Sequence, residues 1–216
     1  MSFIEIAIKL APGMIVSIQI FLITLLLSLP LGLLVAFGRM SRIRIVSLLC
    51  KIYISIMRGT PLMLQLMVVY FGPYYLLGIS VSGNYRIVAT LIGFVINYAA
   101  YFAEIYRSGI QSMPVGQYEA AKILGYSKAQ TFFIIIFPQV VKRILPSITN
   151  EVITLVKDTS LAFTISVAEM FTMAKALASS TTSMYPFVCA ALFYYVFNAI
   201  VAFTMDWTEK RLEYYK

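Results

Sequence analysis

The chain has 216 residues, of which 61% are hydrophobic and 12% charged, with a formal net charge of +8. A water-soluble domain carries about a quarter charged residues, so a soluble globular fold is excluded and a single-domain, all-α polytopic membrane protein (residues 1–216) is expected. The sequence has no histidine and no Gly-Lys dipeptide, which excludes His-based catalysis, His-ligated metal sites and ATP hydrolysis on a phosphate loop of its own.

Three uncharged stretches follow Lys9, Arg58 and Lys175, of 29, 27 and 30 residues. Each exceeds the ~20 residues that cross a bilayer as a helix. Glu5 and the length of the first apolar segment speak against a cleaved signal peptide. That segment runs from about residue 13 to 38, with Ser17, Gln19, Thr24 and Ser28 scattered along it and Pro30 expected to kink it. Residues 45–57 are apolar but too short to span. Ser47, Lys51, Ser55 and Arg58 share one stripe there, so an amphipathic helix near the cytoplasmic interface is expected. Cys50 and Cys189 sit in separate apolar segments and read as core-filling thiols, not as a disulfide or metal ligands. Gly59 ends the amphipathic helix, Thr60 is placed to cap the next and Pro61 to open it. A second span follows at about 61–78. Arg58-Gly59-Thr60-Pro61, with Leu62, Leu64 and Gln65 behind it, resembles the RGTPLLVQ box of amino-acid permeases of ATP-binding-cassette importers.

After a loop with Gly83-Asn84, segment three covers about 87–108. Asn97, Tyr101, Glu104 and Ser108 lie on one of its stripes, which in a bilayer faces protein or a water-filled path. Glu104 either belongs to that path or pairs with Arg107 or Arg58 at the cytoplasmic end. The run AYFAEIYRSGI is similar to the same subfamily.

Residues 116–138 form the longest polar connection. It carries Glu119-Ala120-Ala121, then Gly125, Ile135 and Pro138. The alanines let a short helix sit deep in a groove of another protein, Gly125 gives a bend or helix end, and Ser127 caps a helix entering the bilayer. The pattern resembles the EAA coupling loop of importer permeases, with Phe137 where the family prefers Leu. The resemblance implies that Glu119, Ala120, Ala121 and Gly125 dock on an ATPase subunit.

Segment four, about 144–168, is the most polar span. At 100° per residue Glu151, Thr154 and Asp158 share a face, with Asn150 and Lys157 on an adjacent stripe. Ionisable groups at membrane depth are costly and mark function. Two carboxylates and a hydroxyl accept an ammonium. Lys157, Thr159, Ser160 or backbone N–H groups at a broken helix end near 158–160 would receive a carboxylate. Lys157 and Asp158 could instead form an ion pair that holds the bundle. The run KDTSLAF resembles the KDTSL signature of amino-acid permeases. Residues 169–184 read as an outer connection, a fifth span follows at about 185–205, and the charged, amphipathic tail WTEKRLEYYK closes the chain.

With five spans, thirteen Lys and Arg fall on the side of the 39–58 loop, the 107–143 loop and the tail, against Lys9, Arg86 and Lys175 on the other. The positive-inside rule then gives N-terminus out and C-terminus in. The charge is thus explained without nucleic acid.

The resemblance covers most of the chain, in three boxes in the family's order. It implies the type I importer permease fold, working as a dimer, homo- or heteromeric, in the bacterial cytoplasmic membrane. An ATPase dimer carrying ATP and Mg²⁺ and an extracytoplasmic substrate-binding protein are the expected partners, with no cofactor and no metal in this chain. Substrate contacts are expected from Glu151, Asp158, Thr154, Lys157, Ser160, Asn150, Gln65 and Tyr101. Arg58, Gly59, Thr60, Pro61 and Glu104 are expected to gate or brace the path. The paired carboxylates favour arginine, lysine or histidine; the alternative is a polar neutral amino acid such as glutamine or cystine. An ion-coupled carrier using Glu104, Glu151 and Asp158, or a membrane scaffold, are the rivals from other classes.

Overall fold

The computed structural model describes residues 1–80, 82–83 and 85–212. Asn84 of the expected loop and the last four residues of the tail lie outside the described residues. The order is α1 (Phe3–Arg39), α2 (Arg44–Gly59), α3 (Leu62–Leu77), α4 (Tyr85–Gln111), α5 (Val115–Ile123), α6 (Lys128–Gln130), a π-helical turn (Thr131–Ile136), α7 (Phe137–Asp158), a 3-10 helix (Thr159–Ile165), α8 (Met170–Thr181) and α9 (Tyr185–Leu212). Among the described residues there is no strand.

Four helical stretches are long and apolar enough to span: Phe3–Arg39, Tyr85–Gln111, Lys128–Ile165 and Tyr185–Leu212. A fifth is reached only by joining α2 to α3, which meet at 110°. The second span expected at 61–78 corresponds to α3, sixteen residues, or about 24 Å of helix, with α2 turned away from its axis rather than extending it. Residues 169–184, expected as a connection, contain α8, whose Met170 and Ala174 pack against Leu10, Met14 and Cys189.

α1 begins at Phe3, not near residue 13. Ser2 and Glu5 form a capping box, and neither Pro12 nor Pro30 ends the helix. Of its polar residues Gln19 is exposed, whereas Ser17, Thr24 and Ser28 are buried with Gly13, Gly32 and Ala36 on one ridge at spacings of four and seven residues. Small residues let helix backbones approach where no hydrophobic gain drives association in lipid. At Gly32 an added Cβ would stand 2.8 Å from Phe102 Cβ and 3.0 Å from the Ala99 carbonyl oxygen. Gly32→Leu is expected to cost about 1–3 kcal/mol or more by overpacking and to lower the thermal midpoint of the purified protein. Gly72→Ala, where the nearest atom is the Leu76 Cδ1 at 3.9 Å, should leave it unchanged.

The remaining boundaries follow local chemistry. α3 ends on Gly78, whose φ of 66° is left-handed. Thr60 does not cap α3; Pro61 holds that position, while the Thr60 hydroxyl donates back to the Ile56 carbonyl at 2.8 Å. Ser127 does cap, in a capping box with Gln130. On α9, Val188, Leu192, Tyr195, Val196, Ile200 and Phe203 form an exposed apolar stripe, as a lipid-facing helix requires.

Candidate functional site

The outward face of α7 is polar along its length. Arg143, Ser147, Asn150 and Lys157 are exposed and Thr154 half-buried, at spacings that put all five on one stripe. A membrane helix does not offer such a face to lipid; it faces a water-filled path or another chain. Glu151 and Asp158 flank this stripe, half-buried, on the side of α2 and α4.

Asp158 accepts a hydrogen bond from the Tyr98 hydroxyl at 2.7 Å. Tyr98, 2% exposed, fixes one carboxylate oxygen. Lys157 is exposed and an electrostatic neighbour of Asp158, but the two form no ion pair within 4.0 Å. Among the described residues no side chain hydrogen-bonds the Glu151 carboxylate, whose electrostatic neighbours are Arg58 and Asp158. The Arg58 guanidinium carbon lies 5.3 Å from the centre of the Tyr101 ring. Thr154, Thr159 and Ser160 donate their hydroxyl protons to the carbonyls of Asn150, Val156 and Lys157 at 2.8–2.9 Å. Thr159 is buried, so what Thr154 and Ser160 present to the outside is lone pairs, which suits a cation.

The broken helix end expected near 158–160 is absent. α7 continues into the 3-10 helix, and the Thr159 N–H bonds to the Leu155 carbonyl. The chain turns only at Ser166, whose φ is 58°. Lys157 beside Asp158 and Arg58 beside Glu151 are thus the exposed cationic donors next to the carboxylates.

Two expected site residues are engaged elsewhere. The Gln65 amide donates to the Met57 and Thr60 carbonyls at 3.0 and 3.1 Å and to the Thr60 hydroxyl at 2.8 Å. Asn97 donates to Gln65 at 2.9 Å and to the Met57 carbonyl at 3.1 Å. Together they satisfy the carbonyls freed where α2 breaks into α3, which explains the polar residues of that box. Glu104 pairs with Arg107 one turn on, Nε to Oε2 at 3.0 Å, and Arg107 also reaches Gln111.

The EAA helix α5 ends in a Schellman motif. The Tyr126 N–H bonds to the Ala121 carbonyl, the Gly125 N–H to the Lys122 carbonyl, and Gly125 has φ 81°, the conformation glycine adopts without strain. Glu119 and Ala120 are exposed, whereas Ala121 is 1% exposed. The second alanine is small because this chain packs over it. The outer surface carries Val115, Ile123 and Leu124, the last two 86% and 73% exposed. Gln117 donates to Gln139 at 2.9 Å, tying α5 to α7. A cleft of about 890 Å³ opens between α5, α7 and the end of α9, lined among others by Gln117, Pro138, Gln139 and Glu209; Glu151, Thr154 and Asp158 do not line it.

Tyr98, Glu169 and Tyr194 were not singled out from sequence. Glu169 is fully buried. Burial pushes its carboxyl above the usual range, and hydrogen bonds from Phe171 and Thr172 oppose that. It is the lone charged residue between Asp158 and Lys175, a signal that could have found it. The two tyrosines lie among fifteen and carry no such mark.

Residues 28–214 match the family described as binding-protein-dependent transport system inner membrane component. The chain is 33% identical to the putative glutamine transport system permease protein GlnP of Rickettsia bellii, over 93% of its own length and 91% of that protein's. It is 34% identical to the arginine transport system permease protein ArtQ of Bacillus subtilis, again over 93% and 91%. A crystal structure of an amino acid ABC transporter with histidines superposes with a TM-score of 0.88 at 30% identity, covering 98% of this chain and 99% of that one.

Proposed function

The chain belongs to the family of binding-protein-dependent transport inner membrane components and is a permease subunit of an amino-acid importer of the ATP-binding-cassette type; from that premise we propose that the polar face of α7 lines its translocation path and that basic amino acids are its preferred cargo. It is a multi-pass membrane transport component, not an enzyme, and in such systems ATP and Mg²⁺ act on the partner ATPase. The observation that carries the reading is the exposed stripe Arg143, Ser147, Asn150, Thr154 and Lys157 with Glu151 and Asp158 beside it.

In this reading Glu151 and Asp158 accept ammonium groups, Thr154 and Ser160 add neutral acceptors, and Lys157 with Asn150 receives the carboxylate. Tyr101 and Arg58 flank the strip, and Gln65 and Asn97 brace the α2–α3 break behind it. Glu104 with Arg107 closes the end of α4. A second permease chain faces the stripe, since lipid would leave it unsolvated. α5 docks in a groove of the ATPase.

The test is ATP-dependent uptake by the reconstituted complex, with labelled arginine, glutamine and cystine, with and without the ATPase. Arginine is expected to be carried and to compete best. Uptake that survives loss of the ATPase would instead favour an ion-coupled carrier.

The charge distribution supports N-terminus out and C-terminus in. With Cys50 and Cys189 replaced, an impermeant thiol reagent applied to intact cells should label Lys175→Cys and not Lys122→Cys. The reverse pattern would overturn this orientation.

A further inference from the structure

We propose that Gln117 and Gln139 are coupling residues: their side-chain amides join the docking helix α5 to the π-helical turn at the base of α7, and carry a displacement of α5 to the helix that bears the substrate strip. This rests on the docking of α5 on the ATPase proposed above.

The turn Thr131–Ile136 is wound in π register, and the Phe137 N–H bonds to the Phe132 carbonyl, five residues back. Such turns are rare and concentrate at functional sites. The α register of α7 begins at Phe137, and Pro138 after it has no N–H to donate. The Gln139 side chain reaches back into this switch of register, its Nε2 donating to the Ile135 carbonyl at 2.7 Å. From α5 the Gln117 Nε2 donates to Gln139 Oε1 at 2.9 Å.

The direction of both bonds is fixed by the last acceptor. A carbonyl only accepts, so Gln139 must turn its Nε2 to Ile135 and its Oε1 to Gln117, which must offer its own Nε2. Gln117 Oε1 is left over, and among the described residues it is buried without a hydrogen-bond partner. Stability does not call for that arrangement. Met113, Ile134 and Pro138 line the same cleft as the two amides. Apolar side chains of similar shape at both positions would remove the bonds and the unpaired oxygen together, at little or no cost. What the amides supply, and an apolar pair would not, is a directional tie between α5 and the π turn.

α7 is held a second time one turn further on. Arg143 Nη1 donates to the Ser112 carbonyl at 2.8 Å and to Ser112 Oγ at 3.2 Å, just before α5 begins. Gln139 and Arg143 lie one turn apart on one face of α7. Beside them Met113 is buried against Ile136, Val140 and Ile144. From there α7 runs unbroken to Asp158, through Pro146. Glu151 stands about 18 Å along the same helix from Gln139. A pull on α5 therefore reaches the carboxylates through a rod held at its base.

Gln117→Met and Gln139→Met each keep an unbranched side chain of similar length and cut the tie from one side. The measurement is uptake per ATP hydrolysed by the reconstituted complex supplied with its binding protein, using whichever of labelled arginine, glutamine and cystine the parent carries. The ATPase retained in the purified complex is quantified alongside. Each variant is expected to hold the ATPase at the parent's ratio and to lose roughly fivefold or more of its uptake per ATP, and the double variant no more than the worse single, as for residues acting through one contact. Uptake per ATP within about twofold of the parent in both variants would overturn the proposal, and so would separate additive losses. Loss of the ATPase from both would overturn it as well, because the bridge would then shape the docking surface instead of transmitting its movement. Where one variant does not assemble, the other decides. Whether α5 docks at all is read separately, from ATPase retention in Gly125→Asp.

Discussion

Gly125→Asp is expected to abolish ATP-dependent uptake while the chain still inserts in the membrane at normal levels. Two observations separate its effect on coupling from its effect on folding. Gly125 sits at φ 81°, yet nothing within 4 Å would meet an added Cβ. Inside this chain the substitution therefore costs only the left-handed strain of an L-residue, about 1–2 kcal/mol, and aspartate bears that better than most. The larger cost arises on docking. Ile123 and Leu124 stand exposed on the turn before it. A partner that covers them must also desolvate the new carboxylate, and an unpaired charge in an interface costs on the order of 2–5 kcal/mol. At about 1.4 kcal/mol per tenfold that removes most of the bound ATPase. Gly125→Ala carries the same backbone strain without the charge and should keep most of its uptake. The measurements are uptake in vesicles and co-purification of the ATPase with the permease. Normal uptake by Gly125→Asp would remove the coupling role from α5.

What was legible in the sequence depended on the range of the interaction. The EAA helix, its glycine terminator and the Ser127 cap are set by residues within four positions of each other, and the structure has all three. The break after Arg58 was legible for the same reason, but the partner of its freed carbonyls was not. Gln65 and Asn97 are 32 positions apart, and each alone reads equally well as a path-lining amide. The ridge on α1 was missed because a bilayer removes the usual contrast: with apolar residues on every side of the helix, only the four-residue spacing of small residues marks the packed face. α8 was missed because Ser, Thr and Met are compatible with loop or helix, and its N-cap is a glutamate, Glu169, not one of the residues that usually mark a helix start. Asp158 and Glu151 were found from their rarity, whereas Tyr98, which orients Asp158, stands 60 positions away.

Glu151→Gln is expected to weaken use of a basic amino acid by tens-fold or more, and to do less to a neutral analogue such as glutamine or citrulline. The reason lies in the unequal state of the two carboxylates. Asp158 already has one oxygen occupied by Tyr98 at 2.7 Å, so its orientation is fixed and part of its charge is dispersed. Glu151 accepts no hydrogen bond from a side chain among the described residues, and its electrostatic neighbours are Arg58 and Asp158. It is the acceptor with capacity to spare. Seven residues of helix place the two about 10 Å apart along the axis, a separation that an extended basic amino acid bridges with its α-ammonium at one end and its side-chain cation at the other. A neutral amino acid needs only one of them. Removing one partner of a desolvated charge pair costs ~2–5 kcal/mol, whereas glutamine at 151 still offers a carbonyl to a neutral ligand. The measurement is competition by arginine, lysine, histidine, glutamine and citrulline against uptake of labelled arginine, in wild type and in Glu151→Gln. If basic amino acids neither compete nor stimulate ATP hydrolysis in the wild type, the cationic preference is wrong. Glu151 then becomes a counter-charge to Arg58 at the edge of the path, and the importer carries a polar neutral amino acid held by Asp158 and Lys157.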